Sequence, residues 1–175
     1  MKTLLALLIS LVILPSTATA ARTFNWRALR VGQSTAKDAK KVLGKPLQEY
    51  REQLLYEKKH LHSGDPKDQP IRLDTVVLNL GPKGIIESIF LFPEWGTTDE
   101  QLRLLFGKGR KMKYGKFLSS KGKVKIGAGT RPDEKLHYVN LDTPCEVYPK
   151  LRVLVVYSRQ DVVTGNYLVQ LILFY

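Results

Sequence analysis

The chain contains a single cysteine, Cys145, among its 175 residues. One cysteine cannot form an internal disulfide, so the sequence excludes a small scaffold held together by disulfides. One cysteine and three histidines also provide no ligand set with the spacing of a structural zinc site. Because a free cysteine behaves as a small hydrophobic residue, we expect Cys145 to be buried.

The sequence also lacks the short motifs of common catalytic sites, namely Gly-x-Ser-x-Gly, the Walker phosphate loop and His-Glu-x-x-His. His60 and His62 would lie on one side of an extended segment, with Asp65 and Asp68 close behind them. Two histidines without fixed carboxylates favour a solvated loop over a metal site. The sequence therefore predicts no catalytic residue, no metal and no cofactor. The alternative is a hydrolase or another enzyme whose site is assembled from residues distant in sequence.

Long hydrophobic runs are absent apart from Leu4–Leu14, which is interrupted only by a serine. Lys2 precedes this run, and the small-x-small pattern of Ala18 and Ala20 follows it. These features are typical of a secretory signal peptide, so we expect residues 1–20 to be removed by cleavage after Ala20.

We expect no membrane anchor in the rest of the sequence. The hydrophobic run of the leader is too short for a membrane-spanning helix, which needs about 20 apolar residues. A bacterial lipoprotein would have cysteine at the position of Ala21, so no lipid anchor is expected. The sequence therefore predicts a periplasmic or secreted mature chain without a transmembrane segment.

Hydrophobic residues make up 43% of the chain and charged residues 25%, which is typical of a globular protein. Two short helices are predicted by similar start and stop signals, over Ser34–Gly44 and Thr97–Gly107. Each begins with a Ser or Thr cap, carries one apolar stripe and ends at a glycine in a left-handed conformation. Asp38 and Glu100 or Gln101 would complete capping boxes. When the two segments are aligned, their cap residues coincide and their terminal glycines coincide, which indicates an internal repeat.

Strand-like patterns follow each helix. They cover Gln53–Glu57, Ile71–Leu80, Ile85–Phe92, Lys111–Leu118, Lys123–Ile126, Arg152–Tyr157 and Tyr167–Phe174. The last strand is strongly apolar, so we expect it to be central or well covered. Helices alternating with hairpins predict an α+β fold, with short helices on one face of an antiparallel sheet.

A set of short segments in the first half forms a recognisable pattern. They are Leu29-Arg30-Val31-Gly32-Gln33-Ser34-Thr35, Val42-Leu43-Gly44-Lys45-Pro46, Leu55-Tyr56, Val76–Leu80, Gly84–Ile89 and Pro93. Together they resemble the SmpA/OmlA family. This resemblance implies the β-lactamase-inhibitor-protein-like fold, in which helices pack on an antiparallel sheet, sometimes as tandem copies. The first copy would cover residues 21–93, and a diverged second copy would cover residues 94–175. The family implies protein–protein binding in the bacterial envelope, without catalysis.

Positive charge is concentrated in one stretch of the second half. Between positions 108 and 131 the sequence has nine basic and no acidic residues, whereas the mature chain carries a net charge of only +11 once Lys2 is lost from the total of +12. We predict that residues 108–131 form a hairpin turning near Ser119-Ser120. The candidate binding residues are Lys111, Lys113, Lys116, Lys121, Lys123 and Lys125.

Two interpretations of this basic hairpin remain open. Lysines on an edge strand can simply prevent edge-to-edge aggregation. Alternatively, they form a surface for an envelope protein, or for an anionic lipid or lipopolysaccharide. Nucleic-acid binding is disfavoured, because only Tyr114 and Phe117 could provide stacking aromatics. The sequence therefore predicts an exported, non-catalytic binding or assembly protein of the cell envelope.

Overall fold

The computed structural model describes residues 23–25, 28–62, 69–121, 142–160 and 166–175. In this part of the chain, nine strands form one sheet and three helices pack on it. The strands are β1 (Thr23–Asn25), β2 (Gln48–Tyr50), β3 (Gln53–His62), β4 (Ile71–Leu80), β5 (Ile86–Pro93), β6 (Arg110–Lys113), β7 (Pro144–Tyr148), β8 (Val153–Gln160) and β9 (Tyr167–Phe174). The helices are α1 (Ala36–Leu43), α2 (Asp99–Phe106) and α3 (Tyr114–Lys121). The predicted α+β class is confirmed.

The sheet has the strand order β1-β3-β4-β5-β9-β8-β7-β6, and β2 also pairs with β3. The predicted antiparallel sheet is confirmed, and the one parallel pair among the described strands is β1 with β3 at its edge. β9 lies between β5 and β8 and is buried along most of its length. Its apolar sequence had predicted this central position correctly.

The two predicted helices form with the predicted caps. Thr35 precedes α1, and its backbone N–H donates to Asp38 Oδ2 at 2.8 Å, while Thr98 precedes α2 and donates in the same way to Gln101 Oε1 at 2.9 Å. Each helix ends at a glycine with positive φ, 86° at Gly44 and 77° at Gly107. Side-chain capping at one end and a positive φ at the other therefore limit both helices to two turns.

Each face of the sheet carries a packed core. On one face, α1 and α2 contribute to a single cluster in which Leu43 and Phe106 both take part. Because this cluster draws on both halves of the chain, the predicted boundary near residue 93 does not separate two cores. On the other face, α3 packs Tyr114 and Phe117 against a second cluster that contains Cys145. Burial of Cys145 is confirmed, whereas the expectation that all helices lie on one face is wrong for α3.

The predicted basic hairpin is wrong in the described part of the chain. Only Arg110–Lys113 is a strand, and it pairs with β7. Ser119 and Ser120, the predicted turn, lie inside α3. The reason is that Tyr114 and Phe117, which were assigned to a strand, are spaced three residues apart and reach the same buried cluster from one helix face. Residues 122–141, with Lys123 and Lys125, lie outside the described residues.

The strand pairs at the end of each half have matching registers. Three consecutive pairs join β4 to β5 and correspond to three pairs that join β8 to β9. The first set is Val76–Leu91, Val77–Phe90 and Leu78–Ile89, and the second is Val153–Phe174, Leu154–Leu173 and Val155–Ile172. Farther along both ladders an extra residue interrupts the pairing, Glu87 in β5 and Gln170 in β9. The same β-bulge therefore stands at the same position of both halves.

The two halves meet through their last strands. β5 and β9 pair antiparallel, with Phe90 opposite Leu173 and with Ile89 and Leu91 opposite Phe174 and Ile172. Because Phe90 corresponds to Leu173 in the two ladders, equivalent positions face each other at this central pair. Across the sheet, the strands of the first half run in the order β3-β4-β5, and those of the second half follow in reverse order, β9-β8-β7.

Candidate functional site

Five exposed cationic residues lie at the β6 end of the sheet, and we name them the basic edge. They are Lys108, Arg110, Lys111, Lys113 and Lys116. Of the predicted site residues, the structure brings Lys111, Lys113 and Lys116 into this edge. Lys121 is the last residue of α3, and Lys123 and Lys125 lie outside the described residues. Lys121, Lys123 and Lys125 are therefore not part of the described basic edge.

One cation of the basic edge has a close acidic partner. Lys113 Nζ lies 2.8 Å from Asp142 Oδ1, and both side chains are largely exposed. The hydrogen bond raises the pKa of Lys113 and lowers the pKa of Asp142. Among the described residues, no carboxylate lies within ion-pair distance of Lys108 or Lys111. Solvent screens the exposed Lys113–Asp142 pair, so it contributes little to stability.

An open groove of about 720 Å³ lies between the end of α2 and the beginning of β6. It is lined by Arg103, Gly107, Lys108, Gly109, Lys111 and Glu146. Two glycines flank Lys108, and the space beside Gly107 is open, whereas the backbone of Gly109 packs against the side chains of Glu146 and Tyr148. Three cations and one carboxylate thus surround a space large enough for an organic ligand.

Glu146 is the buried acidic residue of this groove. It is 1% exposed and lies in β7 directly opposite Lys111 of β6. The backbone N–H of Gly109 donates to Glu146 Oε1 at 2.7 Å, and the Tyr157 hydroxyl donates to Oε2 at 2.9 Å. Burying an unpaired carboxylate costs several kcal/mol, whereas hydrogen bonds to a charged group contribute about 1.5–3 kcal/mol each. The two donors therefore offset much of the cost of burying Glu146.

The side chains around Glu146 are tightly packed. A Cβ atom on Gly109 would lie 2.6 Å from Glu146 Cγ and 2.9 Å from two ring carbons of Tyr148. Glycine is consequently required for the Gly109 backbone to reach the carboxylate. Burial raises the pKa of the Tyr157 and Tyr148 hydroxyls, and the nearby Glu146 charge raises them further. Both phenols therefore stay protonated, as donation from Tyr157 to the carboxylate requires.

Different contacts position Arg103 and Lys111 beside the buried Glu146. Arg103 Nη2 forms an ion pair with Asp99 Oδ2 at 2.8 Å, and Asp99 Oδ1 accepts from the Tyr167 backbone N–H at 3.2 Å. The ammonium of Lys111 lies 5.5 Å from the centroid of the Tyr167 ring, within the range of a cation–π contact. α2 and β9 thus position the cations that line the groove.

Two buried positions that are polar in the second half are apolar in the first half, and one exposed position carries the opposite charge. In the matched registers, Leu54 of β3 corresponds to Glu146, and Leu80 of β4 corresponds to Tyr157. Glu49 of β2 corresponds to Lys111 in the same way. Leu54 is fully buried and Leu80 nearly so, which shows that this fold does not require a buried carboxylate at that place.

Sequence reasoning identified the basic stretch but missed Glu146, Tyr157 and Arg103. Glu146 has no charged neighbour in sequence, and Tyr157 was assigned to a strand without a role. The available signal was the match between Leu54-Leu55-Tyr56 and Glu146-Val147-Tyr148, which shows a glutamate in the place of a buried leucine. That match becomes visible only when the long insertion between β6 and β7 is recognised.

The other candidates from the sequence gain no support as sites. His60 and His62 lie near the end of β3, and Asp65 and Asp68 are outside the described residues. Among the residues that are described, no group of three or more histidine, cysteine or acidic side chains is arranged to hold a metal ion. Within the same part of the chain, no helix has the length and hydrophobicity needed to cross a membrane.

No protein-family model and no curated protein matches the chain. Among solved structures, the chain is similar to a DUF4309 family protein (YjgB) from Bacillus subtilis, with 14% sequence identity and a TM-score of 0.39. The alignment covers 84% of this chain and 81% of the other. At this TM-score the similarity carries no argument about fold or function.

Proposed function

We propose that the mature chain is an exported, non-catalytic binding protein of the bacterial cell envelope, and that the basic edge contacts an anionic partner. The signal-peptide pattern of residues 1–20 supports export to the periplasm or the medium. The observation that carries the binding proposal is the concentration of five exposed cations at one end of the sheet, with a close carboxylate only at Lys113 among the described residues.

We also propose that the two halves are tandem copies in the manner of the β-lactamase-inhibitor-protein-like fold, with an SmpA/OmlA-like unit in residues 21–93. The matching caps, ladder registers and β-bulges support this relation. In the first unit, β2 and β3 are joined by a two-residue turn, from Tyr50 to Gln53. In the second unit, their counterparts β6 and β7 are separated by a long insertion that begins with α3. Much of the basic stretch is therefore an addition to the repeated unit.

The chemistry of the basic edge favours anionic headgroups over protein or nucleic acid. Tyr114 and Phe117, the aromatics of the basic stretch, are buried under the sheet. Protein interfaces rely on aromatic and other large apolar side chains at their centre, and single-stranded nucleic acid requires exposed stacking platforms. The described part of the edge presents cations and no exposed aromatic side chain, which fits the phosphates of lipid or lipopolysaccharide, where each lysine contributes about 1 kcal/mol.

Vesicle sedimentation with the mature protein tests this function. Binding to vesicles with an anionic lipid should be strong at low salt, should weaken steeply as salt rises, and should be absent with purely zwitterionic vesicles. The variant Arg110→Glu/Lys113→Glu/Lys116→Glu should bind about a hundredfold more weakly or worse, since three favourable contributions become repulsive. Lys121→Glu/Lys123→Glu/Lys125→Glu should weaken binding in the same direction.

A matched control is available in the first half. Lys37, Lys41 and Lys45 are exposed, and their replacement by glutamate changes the net charge by the same amount. This control should retain most of the binding, because the loss depends on position. Salt-insensitive or absent binding by the unaltered protein would contradict the proposal and favour the alternative in which the lysines only protect the β6 edge from aggregation.

A further inference from the structure

We infer that the groove between α2 and β6 is a binding site for a phosphomonoester group. This inference rests on the proposed anionic partner and deepens it by naming a site and a ligand class. Its basis is the comparison of the two halves, because the first half shows which side chains the fold needs for its stability alone. Where the second half has a different side chain that lowers stability, that difference requires another explanation.

These differences are concentrated around one groove. Where the first half has Leu54 and Leu80, the second half has the hydrogen-bonded pair Glu146 and Tyr157. A buried polar pair is seldom more stable than well-packed apolar residues of similar size, so packing does not account for the exchange. In place of Glu49, which forms an ion pair with Lys40 in the first half, the second half has Lys111.

Glu146 acts as a positioning residue for the groove. Through its bond to the Gly109 N–H, it fixes the segment that carries Lys108. Through the Tyr157 hydroxyl, it is tied to β8. Both carboxylate oxygens are thus engaged inside the protein, at the base of the groove, while Arg103, Lys108 and Lys111 surround the opening.

The charge and the donor groups of these cations favour a phosphoryl group. A phosphomonoester carries three peripheral oxygens and up to two negative charges, and it can accept from three cationic side chains at once. Arg103 keeps guanidinium donors beyond the nitrogen bound to Asp99, because its side chain is 44% exposed. The backbone N–H groups of Gly107 and Gly109 are already bound, to the Arg103 carbonyl and to Glu146 Oε1, so the side chains of the three cations carry the recognition of the anion. The volume of about 720 Å³ leaves room for the organic group that bears the phosphate.

Titration of the isotope-labelled mature protein with glycerol 3-phosphate, followed by amide NMR, tests the inference. The amides of Gly107 and Gly109 should shift saturably, and that of Gly44, the counterpart of Gly107, should not. Arg103→Ala and Lys108→Ala should each weaken binding about tenfold or more, the amount expected for a lost hydrogen bond to a charged group. Lys40→Ala and Lys45→Ala, the same positions of the first half, should bind as the unaltered protein does.

One further ligand defines the class. Acetate at the same concentration should give no saturable shift, because a monocarboxylate cannot engage all three cations. Equal binding of acetate, equal shifts at Gly44 and Gly107, or equal losses in the first-half controls would overturn the inference. Urea unfolding of Arg103→Ala and Lys108→Ala checks that both variants are folded. Should either fail to fold, Lys108→Gln provides the measurement in its place.

Vesicles distinguish a free phosphate from a lipid headgroup. Phosphatidic acid presents a phosphomonoester, whereas phosphatidylglycerol presents a diester. If the site takes a lipid, Lys108→Ala should lose binding to phosphatidic acid vesicles while keeping most of its binding to phosphatidylglycerol. If it takes a soluble ligand, glycerol 3-phosphate alone should bind. If neither glycerol 3-phosphate nor phosphatidic acid binds in this way, the groove site is wrong, even where salt-sensitive vesicle binding supports the basic edge. If glycerol 3-phosphate binds saturably and no vesicle binds, the groove site is supported and the basic edge is contradicted.

Discussion

Gly44 and Gly107 show how single residues end the two equivalent helices. Their φ angles are 86° and 77°, and their ψ angles are −157° and −151°, a region that only glycine occupies readily. We expect Gly44→Val and Gly107→Val each to lower the free energy of unfolding by about 1–3 kcal/mol. Urea unfolding measures this, with Lys45→Val as the exposed control. Unchanged stability in both glycine variants would contradict the assigned helix ends.

Gly109 is required for a different reason, since its φ is not positive and its limitation is space. Gly109→Ala would press a Cβ atom onto Glu146 and the ring of Tyr148, both buried, so we expect a loss of about 1–3 kcal/mol. Gly81→Ala is a useful comparison, because the atoms nearest to its Cβ would belong to the exposed Glu87 side chain, which can move away. Similar losses in the two variants would show that the contact with Glu146 is not the cause.

Glu146 and Tyr157 form a pair whose members depend on each other. Removing either one alone leaves a buried polar group without its partner, which costs about 1–3 kcal/mol. We expect Glu146→Leu and Tyr157→Phe each to be destabilising, and the double variant to lose less than the sum of the two. A double-mutant cycle from urea unfolding gives the coupling energy, expected at about 0.5–3 kcal/mol. Additive losses would mean that the hydrogen bond between them contributes nothing.

Among the elements, α3 differs most clearly from the prediction, because the structure has a helix where the sequence predicted one strand of a hairpin. Phe117 is buried, and its ring lies 5.3 Å from that of Tyr175, whereas Lys116 is exposed. We expect Phe117→Ala to cost about 3–5 kcal/mol and Lys116→Ala to change stability by less than about 0.5 kcal/mol. Thermal unfolding of the two variants tests this. A hairpin with both side chains exposed would instead give two small effects.

The elements that the sequence predicted well are those with strong local signals. α1 and α2 have a cap at one end and a glycine at the other, and β4 and β9 are long apolar runs, so local chemistry determined their type and extent. β7 was missed because Pro144 and the isolated Glu146 hide a strand that only its partners β6 and β8 define. α3 was misread because basic residues and glycines obscured the helical spacing of its two aromatics. The groove could not be predicted, since α2, β6 and β7 meet there only in the folded chain.

For the whole molecule, buried tyrosine and cysteine side chains couple stability to alkaline pH. Burial raises the pKa of Cys145 from 9.0 to about 11 and that of Tyr56 from 10.0 to about 12. The unfolded chain therefore loses these protons at lower pH than the folded chain does. The contribution of these two groups to the free energy of unfolding should be fully present below about pH 9. It should be lost as pH rises toward 12, by about 2–3 kcal/mol for each group.

Unfolding by urea at a series of pH values measures this dependence. Cys145→Ala should flatten the part of the curve between about pH 9 and 11, whatever its effect on the absolute stability. The part that comes from Tyr56 should remain. A curve that is flat from pH 8 to 12 in the unaltered protein would contradict the assigned burial of both groups.

The antiparallel pairing of β5 with β9 has the geometry of an isologous dimer interface, in which residue i meets residue j and residue j meets residue i. A symmetric dimer of one such unit would have to accept every substitution twice, once in each subunit. Covalent linkage removes that constraint, because each half then varies on its own. Leu54 can consequently remain a core residue while its counterpart Glu146 takes on a polar environment, so that one half preserves the stability of the shared core and the other is free to acquire a ligand.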